Sequence, residues 1–421
     1  MREELLAKTI EEIGIKAKET SYRLARATTS EKNNALEMIA DGLRSQIAEI
    51  IRENRKDIDQ AKEKGLSSSM LDRLSLDEHR INQMISSIEQ IIALPDPVGE
   101  ISNMSVRPNG LKIGQMRVPL GVVGFIYESR PNVTIDAAAL CLKAGCVIIL
   151  KGGSEAINSN MYLTKIIQQS IKKAGLPIYA VQILTSTDHQ AVNLLVKLNK
   201  YVDVIVPRGG RTLIEAVTAN ATIPVIKHFD GICHIFIDQS ANEDMAMSIV
   251  VNAKVQRPGV CNALETLLID TKIAQRILPG ISDALKNEGV ELRGCERARK
   301  IVSGLIPATE KDWSTEYLDL ILSIRIVDTF DEAVKHINTY GSSHTDAIIT
   351  DNYPRAMRFL QEVDSACVFV NASTRFSDGF EFGLGAELGI STDKFHVRGP
   401  MGLVDLTCKK YIAFGSGQVR E

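Results

Sequence analysis

The sequence contains no CxxC pair, no HExxH and no GxxxxGK[ST]. Those absences remove the usual structural-zinc pattern, the zinc-peptidase helix and the P-loop. Long apolar runs are also missing. Stretches such as Val147–Leu150 and Val202–Val206 fall far short of the ~20 residues a bilayer span requires. Charge of one sign is lacking too: 49 Lys+Arg face 52 Asp+Glu, a net charge of −3. No electrostatic footprint for nucleic acid or an anionic membrane follows from that balance. The opening stretch, MREELLAKTIEEIG, is charged and helix-like, without an apolar signal-peptide core. Together these features predict a soluble, cytoplasmic protein with neither nucleic acid nor membrane as partner. Cysteine is sparse and odd in number, seven in 421 residues, so no disulfide framework is expected and a reduced thiol is free to react. The seven histidines show no metal spacing, and no metal is expected.

What is present is globular: 44% apolar and 24% charged residues. The chain exceeds the ~250–300 residues at which single cores stop growing, so more than one domain is expected. The first hundred residues read as helices. Thr28 and Glu31 form a capping-box pattern. Behind them Leu36, Ile39, Leu43, Ile47 and Ile50 make one apolar stripe. After a break at Gly65 and Ser67–Ser69, Ile81, Met84, Ile85, Ile88 and Ile91 share a second face that ends at Pro95 and Pro97. Residues Met104–Val118 differ. Asn109-Gly110 at their tip predicts a hairpin, either a local surface feature or an edge that pairs with another chain.

From Leu120 to Ile226 apolar strands alternate with helices: Gly121–Ile126, Cys146–Leu150, Val181–Leu184 and Val202–Val206, with helices over Val133–Lys143, Asn158–Ala174, His189–Leu198 and Thr212–Thr218. A second series starts near Gly231, with strands Ile232–Ile237, Leu264–Ile269, Leu320–Val327, Asp346–Thr350 and Ala366–Val370. Unbroken apolar strands separated by helices predict parallel sheets covered on both faces. The expected domains are 1–103 with 119–228, completed by 378–398; then 229–377; then the hairpin 104–118 with 399–421. The last fifty residues are Gly-rich and irregular by pattern.

Four segments could carry chemistry. In KVQRPGVCNALE, Cys261 follows Pro258-Gly259 between a helix and a strand. It is there either a nucleophile or one more inert thiol. Cys141, Cys146, Cys233 and Cys367 sit in apolar runs and read as small hydrophobes. In ESRPNVT, Asn132 opens a helix; its amide is either an N-cap, as asparagine commonly is there, or aimed at a reacting oxygen. Lys151 in LKGGSEA and Arg208-Gly209-Gly210-Arg211 place basic, Gly-rich turns at strand ends. They suit an anionic nucleotide or are ordinary tight turns. FGLGAELG follows no strand, and its spacing differs from the dinucleotide fingerprint.

Taken together, PLGVVGFIYESRPNVT, AGCVIILKGGSEA, VQRPGVCNALETLL, HTDAIIT, VNASTRFSDG and FGLGAELGIST…HVRGPMGL resemble the aldehyde dehydrogenase superfamily over nearly the whole chain. The resemblance implies that family's α/β fold: a Rossmann-like parallel-sheet cofactor domain (1–103, 119–228, 378–398), a second α/β catalytic domain (229–377) and a protruding oligomerisation hairpin. It implies Cys261 as nucleophile and Asn132 as the oxyanion amide. Lys151, with Ser154 beside it, would meet the adenosine ribose and the 2′-phosphate of NADPH. Gly209 and Gly210 would approach the pyrophosphate, and Glu316 in WSTEYLDL the nicotinamide ribose. One departure is informative. Lys227–Ile232 reads KHFDGI, where hydrolytic members carry a water-activating glutamate; Asp230 is the one nearby carboxylate. A reductase acting on an acyl phosphate needs no such base. The implied reaction is NADPH-dependent reduction of L-glutamyl 5-phosphate to L-glutamate 5-semialdehyde, in L-proline biosynthesis. Arg130, Arg257 and Arg375 flank the motifs as cations for the anionic substrate. A homo-oligomer, dimer or tetramer, is implied. Because acyl phosphates are labile, glutamate 5-kinase is a candidate partner. The competing readings are a hydrolytic or CoA-acylating aldehyde dehydrogenase, a cysteine hydrolase, and a non-catalytic binding protein on the same fold. A hydrolase needs a histidine beside Cys261, and the sequence indicates none.

Overall fold

A computed structural model describes residues 2–188 and 190–420; Met1, Glu421 and His189, the first residue of the helix expected over 189–198, lie outside the described residues. The chain divides into two units. One comprises Met1–Lys227, Gly383–Ile390 and Pro400–Glu421; the other comprises His228–Phe382 and Ser391–Gly399.

The first unit opens with helices Arg2–Leu24, Thr29–Arg44, Ile47–Glu63, Ser68–Leu74 and Glu78–Ala93. The capping box forms: the Thr28 amide donates to Glu31 Oε2 at 2.7 Å and the Glu31 amide to Thr28 Oγ1 at 3.3 Å. Such a cap is worth about 1 kcal/mol, because it pairs amides that a first turn leaves open. The stripe residues Leu36, Ile39, Leu43 and Ile50 are buried, as are Ile81, Met84, Ile85, Ile88 and Ile91.

The hairpin follows as Ile101–Val106 (β1) and Lys112–Pro119 (β2), paired antiparallel. Gly110 at its tip has φ 85°, a left-handed angle that glycine takes without a Cβ penalty. The C-terminal strand Thr407–Phe414 pairs antiparallel with β2 along its whole length, from Thr407 opposite Pro119 to Phe414 opposite Lys112. This corrects the irregular reading of the last fifty residues. TCKKYIAF escapes pattern detection because most of it is exposed; with no buried face there is no period-2 signal.

Beyond the hairpin, Val122–Tyr127 (β3), Val147–Gly152 (β4), Val181–Ile183 (β5) and Val204–Arg208 (β6) form a parallel sheet ordered β5-β4-β3-β6. Every residue of β3 and β4 is buried, which is why these strands read as unbroken apolar runs.

In the second unit, Cys233–Ile237 (β7), Leu264–Asp270 (β8), Glu291–Gly294 (β9), Ile306–Pro307 (β10), Ile321–Val327 (β11), Thr345–Ile349 (β12) and Cys367–Val370 (β13) build one parallel sheet, ordered β10-β9-β11-β8-β7-β12-β13. Alternate residues serve its two faces. Ile235, Ile237, Leu267, Ile269, Ile324 and Ile349 join one core, while Phe236, Leu268, Val327 and Ile348 meet Phe330 and Phe359 in the other. In a parallel sheet all segments that precede strands gather at one edge, and that edge carries the site below. Among the described residues no helix is long and apolar enough to cross a membrane.

Candidate active site

Cys261 lies on the turn between helix Glu243–Val255 and β8, partly exposed. The turn is closely held. Gly231, just before β7, packs against the Cys261 backbone, and a Cβ at Gly231 would overlap the Cys261 carbonyl. Only glycine fits there. The same carbonyl accepts the Cys233 thiol at 3.2 Å. Burial pushes that second thiol far up, so Cys233 stays neutral and donates. Of the two neighbouring sulfurs, Cys261 alone has access to solvent.

Glu316 takes its place through the same glycine: the Gly231 amide donates to Glu316 Oε1 at 2.8 Å. Burial raises the Glu316 carboxyl above its ordinary value; the Gly231 hydrogen bond opposes the shift and nearby Asp230 adds to it. Asn262, next to the cysteine, is buried and donates to the Ser377 carbonyl at 2.9 Å. Its side-chain oxygen accepts from the Arg375 guanidinium, and Arg375 Nε also donates to Gln256 Oε1 at 2.8 Å. Arg375 is therefore tied to the residue beside Cys261. Burial, with Arg257 nearby, lowers its pKa. Arg257 itself is exposed. Beneath the turn, Lys254 and Glu265 form a fully buried ion pair at 2.8 Å. Burial drives the Glu265 carboxyl up against the pull of that lysine.

The structure also brings histidines to the cysteine. Cys261 Sγ and one ring nitrogen from each of His228 and His344 lie within 4.8 Å of one another. This corrects the expectation that no histidine stands near Cys261. His228 precedes β7 and His344 immediately precedes β12, 33 residues before and 83 after the cysteine in sequence. Only the shared edge of the parallel sheet joins them, so no local spacing could announce the cluster.

The remaining candidates belong to the first unit, at the carboxyl ends of its strands. Lys151 is buried near the end of β4 and donates to the Gly152 carbonyl at 2.8 Å. Burial lowers its ammonium pKa, opposed by Glu155. Ser154 is exposed, at the start of the short helical turn Ser154–Ala156. Gly209 and Gly210 follow β6, and the Gly210 amide donates to Glu128 Oε2 at 2.9 Å. A Cβ on Gly209 would collide with Glu128 and with Leu213. Arg130, partly buried, sits in the segment between β3 and helix Asn132–Lys143.

Asn132 does not cap its helix. Pro131 occupies the N-cap position without a side-chain bond, and Asn132 is the first helical residue. Its amide donates instead to Asp136 Oδ2 at 3.3 Å, one turn on, and Asp136 also accepts from Ser87 Oγ at 2.9 Å. Burial pushes the Asp136 carboxyl up to about 6. A group raised in this way favours the folded state while protonated. Its contribution is complete at low pH and is lost as pH climbs through about 6. Asp136→Asn should therefore gain on the wild type by about 1–2 kcal/mol between pH 4 and 7, the value trimmed for the residue's partial exposure. Paired urea melts at several pH values read this difference, and a pH-independent difference would contradict the assignment.

Known proteins are similar to this chain over most of its length. The model of the aldehyde dehydrogenase family matches residues 4–294. A protein of Clostridium perfringens (strain SM101 / Type A) named gamma-glutamyl phosphate reductase is 55% identical over 420 residues, covering 100% of both chains. One of the same name from Moorella thermoacetica is 55% identical over 97% of this chain and 98% of its own. Among solved structures, the gamma-glutamyl phosphate reductase of Thermotoga maritima superposes with a TM-score of 0.96 at 47% identity, covering 98% of this chain and 100% of that one.

Proposed function

The chain belongs to the aldehyde dehydrogenase family, and from that premise we propose that it reduces L-glutamyl 5-phosphate to L-glutamate 5-semialdehyde, releasing phosphate, as a step towards L-proline. The observation that carries this reading is what faces the cysteine. The segment 227–232 meets Cys261 with the backbone of Gly231 and a ring nitrogen of His228, and it holds no glutamate. A thioester formed on Cys261 then lacks the glutamate base with which hydrolytic members activate water, which favours its reduction.

The Cys261 thiolate attacks the γ-carbonyl, and a covalent acyl group replaces the phosphate. The Asn132 amide and the Cys261 amide stabilise the oxyanion that develops. Arg375, Arg257 and Arg130 answer the substrate's negative charge. A nicotinamide cofactor supplies the hydride. NADPH is the form this reading adopts, held by Lys151, Ser154, Gly209, Gly210 and Glu316. The chemistry of the first two supports that: a buried cation beside an exposed hydroxyl at a strand's carboxyl end suits a phosphorylated ribose. No metal takes part in the scheme.

The domain assignment follows the same reading, with 1–103, 119–228 and 378–398 for the cofactor, 229–377 for catalysis, and 104–118 with 399–421 for association. The outer edges of β1 and of the C-terminal strand offer themselves to a second copy. They carry exposed Val106, Tyr411 and Phe414, as an edge awaiting a partner would. Glutamate 5-kinase would supply the substrate, and the cytoplasm is the expected site of action.

The test runs the reaction backwards. With NADP⁺ and glutamate semialdehyde, nicotinamide absorbance should rise in multiple turnovers only when inorganic phosphate is present. Steady oxidation without phosphate would favour a hydrolytic enzyme and reject the proposal.

A further inference from the structure

The Cys261–His228–His344 cluster has a use that the reading above leaves unassigned. Resting on that reading, we propose that His344 takes the Cys261 proton and delivers it to the departing phosphate, with His228 linking the pair to solvent.

The proton count requires such a group. Attack on an acyl phosphate forms a C–S bond and breaks the C–O bond to phosphorus. A phosphate trianion is too basic to leave readily at neutral pH, so its oxygen needs a proton. The attacking thiol must lose one. A single imidazole settles both demands: it receives the thiol proton, then protonates the leaving oxygen, giving thioester, hydrogen phosphate dianion and neutral imidazole. After hydride arrives, the tetrahedral alkoxide collapses to the aldehyde and expels the thiolate. One proton from solvent restores the starting thiol. The sum is acyl phosphate plus NADPH plus one proton, giving semialdehyde, NADP⁺ and hydrogen phosphate.

His344 is prepared for this by its hydroxyl neighbours. Its Nδ1 lies 2.8 Å from Thr345 Oγ1. That hydroxyl donates its own hydrogen to Ser377 Oγ at 2.9 Å. The threonine oxygen therefore accepts from the ring, which puts the hydrogen on Nδ1 and the basic lone pair on Nε2. The tautomer is fixed by the network, as second contacts commonly fix histidine. Full burial holds the ring, and His228 packs edge-on against it with centroids 5.4 Å apart. His228 is only partly buried, so it can pass protons between the pocket and water. Charged or titratable groups around the cluster include the neutral Cys233 thiol beside His344, Glu316, which interacts with His344, and Arg375, which interacts with Cys261; Asp230 and Lys254 act on Glu316, Asp346 on Cys233 and Arg257 on Arg375. None of these belongs to the 4.8 Å group.

His344→Asn keeps a donor towards Thr345 and removes the proton acceptor. In the reverse direction, semialdehyde and NADP⁺ without phosphate give a burst of NADPH as Cys261 is acylated; added phosphate then cleaves the thioester. At pH 9 hydroxide removes a thiol proton without help from a side-chain base. The burst should therefore survive in H344N at that pH, while phosphate cleavage slows by about 10²–10⁴-fold, the range for a lost acid–base group. A residue needed only for structure would weaken both steps alike. Wild-type phosphate cleavage in H344N would overturn the relay and leave the reductase reading standing. A wild-type burst with no phosphate-dependent turnover would instead overturn the reductase reading, and the relay with it. Should H344N not fold, the wild type decides. Proton transfer by His344 gives a normal solvent deuterium isotope effect on phosphate cleavage; no effect there rejects it.

Discussion

Cys261→Ser is expected to lower phosphate-dependent turnover by more than about 10⁴-fold, as loss of a covalent nucleophile does in other enzymes. Binding of NADPH, followed by fluorescence titration, should be unchanged. The size of the loss follows from chemistry and from place. A serine hydroxyl does not ionise near neutral pH, whereas a thiol supplies the attacking anion. No neighbouring sulfur can step in. Cys233 is close enough to donate to the Cys261 carbonyl, yet its thiol is buried and held protonated. Near-normal turnover in C261S would remove the basis of the mechanism.

Asn132→Ala should lower turnover by about 10²–10³-fold, the cost of one oxyanion donor. Cofactor affinity and melting temperature should both stay near wild type. The thermal expectation rests on the helix start. An asparagine cap replaced by alanine would cost about 1 kcal/mol, but here Pro131 holds the cap position and the Asn132 amide reaches only Asp136. Loss of stability without loss of rate would reverse the assignment and make Asn132 a structural residue. Joint measurement of kcat and thermal unfolding separates the outcomes.

The buried parallel strands were readable because burial on both faces leaves continuous apolar runs, and β3, β4, β7 and β8 fall within about two residues of their expected ends. Asn109-Gly110 announced the hairpin through a turn requirement that few residue pairs meet. Short β9 and β10 gave no sign, since four and two residues make no period. Cys261 stood out as a cysteine on a turn. Its surroundings did not. His228 with Gly231, Asn262, and His344 come from three segments, and residue type alone gave no reason to join them. A further obstacle was direction. Ligands of open parallel sheets gather at carboxyl ends, as Lys151 and Gly209 do in the first unit. Gly231, Cys261 and His344 instead precede β7, β8 and β12. KHFDGI was legible only as a missing glutamate. The role of its glycine is steric, and emerged once the Cys261 backbone lay beside it.

The three-stranded sheet has a consequence for biosynthesis. Its central strand, β2, is made nearly three hundred residues before the C-terminal strand that lies along it. While the ribosome works through the rest of the chain, one side of β2 presents unsatisfied amides and carbonyls to the cell. Nascent chains stalled anywhere in that interval carry a sticky ribbon, and the arrival of Thr407–Phe414 is what lets it close.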